Sequence, residues 1–77
     1  MRKIKMIWDF RGNEAEPTAK HHAIHLEQFA NKHNLDFKEV GIEKQTEMHC
    51  IAYLMCTDNN LVLVRDSLKP HRATLEE

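Results

Sequence analysis

The chain is expected to fold as an α+β domain, with an antiparallel sheet and its helices gathered on one face. Three observations lead there. Pro17–Asn34 is the only long stretch with helical periodicity. Arg2–Phe10 and Glu47–Cys56 instead alternate in the manner of strands. Taken in order, the segments run strand, helix, strand, strand, helix, and such an order packs helices against one side of a sheet.

The helix is amphipathic. At about 100° per residue, Ala15, Ala19, Ala23, Leu26 and Ala30 fall on one narrow stripe, flanked by His22 and Phe29 and shared by His33. Lys20, Glu27, Gln28 and Lys32 lie on the polar arc. Short alanine side chains allow the helix axis to sit close to what it covers. Asn13-Glu14-Ala15-Glu16 reads as the start, with Pro17 at the first helical position, where no amide bond is lost, and two glutamates at the positive end of the dipole. Lys32, His33 and Asn34 read as the stop, Asn34 being able to take the left-handed cap.

In the first strand Ile4, Met6, Trp8 and Phe10 point one way, and Lys3, Lys5, Ile7 and Asp9 the other. Arg11-Gly12-Asn13 is the turn out of it. Leu35–Glu43 reads as a second strand whose alternation slips, and a bulge near Lys38–Gly41 would reconcile Phe37 with Val40 and Ile42. A turn at Lys44–Thr46 leads to Glu47–Cys56. That third strand sets Met48, Cys50, Ala52, Leu54 and Cys56 on one face and His49, Ile51, Tyr53 and Met55 on the other, and both faces are apolar. A one-sided antiparallel sheet normally carries a polar open face. A second copy of the chain is therefore expected to cover it, with His49, Ile51, Tyr53 and Met55 as the homodimer interface. Leu61–Leu68 suits a helix stopped by Pro70 better than a strand returning from a hairpin at Asn59-Asn60.

Seventy-seven residues make one domain, residues 1–70 forming the core and residues 71–77 a short edge strand or a tail. Cys50 and Cys56 would lie about 20 Å apart on one strand, beyond the reach of a disulfide. Two free thiols and the absence of a signal peptide suggest a reducing, cytoplasmic setting. No apolar run approaches the length of a membrane span. A net charge of −1 offers no general attraction to nucleic acid or anionic lipid, and Lys69-Pro70-His71-Arg72 reads as a solvated helix end.

The order of elements resembles the ferredoxin-like split βαβ arrangement over about Arg2–Pro70, and the doubly apolar third strand resembles the dimeric α+β-barrel proteins built from that unit. The resemblance implies that the first and third strands are central. The fourth strand would be short or missing, since a full one hardly fits in HRATLEE. Proteins of that group include cofactor-free oxygenases, small-molecule degraders and proteins without known activity, so the arrangement does not pass on a function.

Three constellations carry possible chemistry. Trp8, Asp9, Arg11 and His22 could line a ligand pocket where the first strand ends, with Arg11 gripping an anion and Asp9 or a histidine moving a proton. His21 and His25 share a helix face at ligand spacing for zinc, copper or nickel, although two donors fall short of a stable site. Cys50 and Cys56 fit buried structural thiols better than nucleophiles, because His49 points away from its neighbour Cys50. The leading functional class is a homodimeric interaction or small-ligand-binding module. The alternatives are a cofactor-free or metal-assisted enzyme and a metal-binding or metal-sensing protein.

Overall fold

The computed structural model describes residues 2–36 and 39–76. Its elements are β1 (Lys3–Arg11), α1 (Ala15–Lys32), β2 (Glu39–Thr46), β3 (His49–Thr57), a 3-10 turn (Asp58–Asn60), α2 (Leu61–Leu68) and β4 (Arg72–Glu76). Among the described residues they form a four-stranded sheet in the order β2-β3-β1-β4, with every neighbouring pair antiparallel, and two α-helices. The first and third strands are central. The tail resolves as a five-residue edge strand paired with Lys3–Ile7 of β1, and Leu61–Leu68 is helical.

Local chemistry explains the boundaries. Gly12, at φ 108°, turns the chain out of β1 and donates its N–H to the Met48 carbonyl at 2.8 Å. Helix α1 begins two residues earlier than the proline suggests, with Glu14 as its cap. Pro17 thus sits third rather than first, still inside the turn whose N–H groups lack intrahelical partners. At the other end Asn34 takes φ 49° as expected, and Leu35 N–H reaches the Ala30 carbonyl at 3.2 Å, closing a Schellman-type stop. Lys69, at φ 47°, ends α2 with the simpler left-handed cap, its own N–H bonded to the Arg65 carbonyl.

The second strand differs from its sequence reading. It starts at Glu39, so Leu35 belongs to the exit of α1, while Phe37 and Lys38 lie outside the described residues. Val40 and Ile42 then alternate without a slip. The register across Val40–Leu54, Gly41–Tyr53 and Ile42–Ala52 is unbroken, and the irregularity falls between Lys44 and Thr46, beside the hairpin turn. Gly41 serves another purpose: a Cβ there would stand 2.8 Å from the Tyr53 hydroxyl oxygen, so glycine makes room for the ring across the ladder. Met48 lies in that turn and is exposed, not on the core face of β3.

The core lies between the sheet and the helices. Ile4, Met6 and Trp8 of β1 and Cys50, Ala52, Leu54 and Cys56 of β3 meet Ala15, Ala19, Leu26 and Ala30 of α1, with Val64 of α2 and Leu35. Of the alanine seam, Ala15, Ala19 and Ala30 are buried and Ala23 partly so, which lets α1 sit against the sheet. Helix α2 buries Val64 and is tied to the sheet by Trp8, whose Nε1–H donates to the Leu68 carbonyl at 2.9 Å. Both cysteines are free, and burial pushes both thiols up from their ordinary value. No helix among the described residues is long and apolar enough to cross a membrane.

Candidate functional site

The odd-numbered residues of β1 and β3 face away from the helices. Ile7 and Ile51 each keep 3 % of their surface there, and Met55 keeps 9 %, within a single chain. Charged and aromatic side chains of the same face provide the cover. Lys5 stretches across β3, with Nζ 2.9 Å from Glu43 Oε2 and 4.6 Å from the centre of the Tyr53 ring. Tyr53 lies over Gly41 and donates its hydroxyl to Glu39 Oε2 at 3.4 Å. The expected interface is thus half hub and half floor: His49 and Tyr53 are half-buried in polar contacts, Ile51 and Met55 are buried beneath them. Within one chain Ile51 and Met55 are already shielded, while His49 and Tyr53 keep part of their surface.

Asp9 organises the far end of the face. Arg72 grips its carboxylate with two nitrogens, Nε to Oδ2 at 3.0 Å and Nη2 to Oδ1 at 3.1 Å. His49 Nε2 meets Oδ1 at 2.8 Å. The Arg72 bond, with His49 adding to it, outweighs desolvation and lowers the Asp9 carboxyl to about 2. An ionised carboxylate only accepts, so the imidazole must donate from Nε2, which leaves Nδ1 as the free nitrogen of neutral His49. The Asp9 backbone N–H donates to His71 Nδ1 at 2.8 Å. Arg11 stands directly across the ladder from His49, exposed and without an acidic partner among the described residues. The Asp9 carboxylate is thus held by Arg72 of β4 and His49 of β3, with His71 on the Asp9 backbone N–H and Arg11 across the ladder from His49.

The pocket foreseen from Trp8, Asp9, Arg11 and His22 is divided by the sheet. Asp9 and Arg11 belong to the open face. Trp8 and His22 belong to the helix side, where the His22 ring packs 5.1 Å from Trp8 and 5.4 Å from Phe10. His22 Nε2 is buried and has no hydrogen-bond partner among the described residues. Burial pushes this imidazole down from its ordinary value, and charge on His25, His71 or His21 pushes the same way. His21 and His25 do lie side by side on the exposed surface of α1, ring centres 4.6 Å apart. Among the described residues no third histidine, cysteine or carboxylate joins them in a group that could hold a metal.

Sequence reasoning placed Asp9 and Arg11 in a ligand pocket and His49 in an interface, and it took His71 and Arg72 for a solvated helix end. The available signal was parity: with HRATLEE beside β1, Arg72 falls on the same face as Asp9. Compared with protein-family models, with curated proteins and with solved structures, the chain matches none of them.

Proposed function

We propose that this chain is a small ferredoxin-like binding module, cytoplasmic and without catalysis, that receives an anionic small molecule on the open face of its sheet. The β-α-β-β-α-β order with first and third strands central supports the ferredoxin-like reading. Two buried free thiols suit a reducing compartment. The observation that carries the ligand class is Arg11, exposed across the ladder from His49, while the nearby Asp9 carboxylate is already taken by Arg72 and His49. A carboxylate or phosphate seated against Arg11 would find a planar donor fork, and protonated His49, held through Nε2 by Asp9, would donate to it from Nδ1. Titration with inorganic phosphate and with acetate, followed by NMR of the His49 imidazole, tests this reading. Saturable shifts are expected, weakened about tenfold in Arg11→Ala, as befits the loss of a charge-assisted bond. Unmoved His49 signals at millimolar anion would discard it.

A second reading, a cofactor-free enzyme of small molecules, draws on the same dyad. His49 held through Nε2 by ionised Asp9 has the orientation of a general base working through Nδ1. An activity that disappears in His49→Gln while the fold persists would favour it over simple binding.

A further inference from the structure

We propose that β4 is a self-pairing edge, at which a second copy of the chain extends the sheet across a two-fold axis through Thr74. The argument is independent of the ligand on the open face. Along an antiparallel strand, backbone groups point alternately to one neighbour and to the other. Gly12 N–H is directed to the β2–β3 hairpin and Asp9 N–H to His71, so the odd residues of β1 face β4. Their partners Arg72, Thr74 and Glu76 therefore use their N–H and C=O groups on Ile7, Lys5 and Lys3. Ala73 and Leu75 are left with theirs aimed outward from a strand that holds no proline and keeps its register from Arg72 to Glu76, although His71 and Arg72 both oppose Ile7 where it begins.

A two-fold axis through Thr74 uses both. It pairs Ala73 with Leu75 of the second copy, twice, for roughly four main-chain hydrogen bonds. On the open face the same register sets Arg72 opposite Glu76 of the second copy. Arg72 commits Nε and Nη2 to Asp9, and its Nη1 has no acceptor among the described residues. On the helix side Leu75, 49 % exposed, comes against Ala73 of the second copy. Helix α2, tied to β1 through Trp8, also leaves Val62 and Leu63 exposed. The opposite edge is less suited. An axis through Gly41 of β2 would confront Glu39 with Glu43 of the second copy, and the irregularity beyond Lys44 interrupts further pairing. The occupant that β4 fits is thus its own copy.

Disulfide trapping and sedimentation test the proposal. In the expected register Thr74 faces itself in a close, non-hydrogen-bonded pair, within bridging range. Thr74→Cys should cross-link under mild oxidation, whereas Thr18→Cys, exposed on α1, should not. Wild type should show a concentration-dependent dimer. Glu76→Lys, which sets like charges opposite one another, and Leu75→Pro, which deletes an outward N–H while sparing the β1 ladder, should each weaken it about tenfold or more. Circular dichroism confirms that each variant is folded, and the trapping readout stands where one is not. The proposal is overturned if wild type stays monomeric to about 1 mM and Thr74→Cys fails to cross-link. It is equally overturned if a dimer ignores both edge variants and yields instead to Tyr53→Glu on the open face.

Discussion

The two faces of the sheet bury apolar side chains by different means. On the helix side Met6, Leu54 and Cys56 are sealed by other apolar groups from α1, α2 and the strands. On the open side Ile7, Ile51 and Met55 are nearly as inaccessible, yet what lies over them is a lattice of lysine, tyrosine, arginine and carboxylates. The first cover is fixed by packing; the second is held by partly exposed polar contacts and so responds to pH and salt. Burial measured residue by residue does not distinguish the two.

Cavity-making substitutions separate them most strongly. Leu54→Ala should cost about 2–5 kcal/mol in urea denaturation, because neighbours from two helices cannot follow the lost methyls. Ile51→Ala should fall near the bottom of that range, about 2 kcal/mol, since the side chains above it are free to settle. Equal losses would show that the polar lattice is as rigid as the core.

Acid should strip the open face next. The Asp9 carboxyl is depressed in the folded chain, so as pH falls the unfolded chain takes up its proton first. The stabilisation is complete above 3.8 and disappears as pH falls through about 2, on the order of 2 kcal/mol in all. Asp9→Asn should remove this segment of the pH–stability curve and lower stability at neutral pH.

Helix-side acid sensitivity belongs to His22 and comes at higher pH. With its folded value lowered, the favourable contribution of neutral His22 is present above 6.5 and is lost as pH falls through the lowered value. His22→Leu should flatten stability in this range and gain about 1 kcal/mol by removing an unpartnered buried nitrogen. A curve unchanged by the substitution would reassign the slope to another histidine. The smallest effect is expected from Lys5→Ala, under about 1 kcal/mol at low salt and less at high salt.

Much of the fold was legible because binary patterning determines which face each residue takes. The alternation of RKIKMIWDF and of the segment through Cys56 identified the two central strands, and the alanine stripe identified α1 and its buried side. Patterning states that a side chain faces outward, not what lies across from it. Lys5 and Glu43 are 38 positions apart, and Asp9 and Arg72 are 63 apart, so their pairing depends on strand order. For that reason the double greasiness of β3 suggested a missing partner, although long polar side chains on neighbouring strands were available to lie over it. The divided pocket has a similar origin. Trp8 and Asp9 are adjacent in sequence, but adjacency on a strand means opposite sides of a sheet.

The bond from Trp8 to the last carbonyl of α2 has a practical consequence. Trp8 is the sole tryptophan in the chain, and the element it fastens is short, with Val64 its one fully buried residue. Its emission is accordingly a built-in gauge of whether that helix is seated. If the helix lifts away before the strands separate, fluorescence will run ahead of far-ultraviolet dichroism during heating.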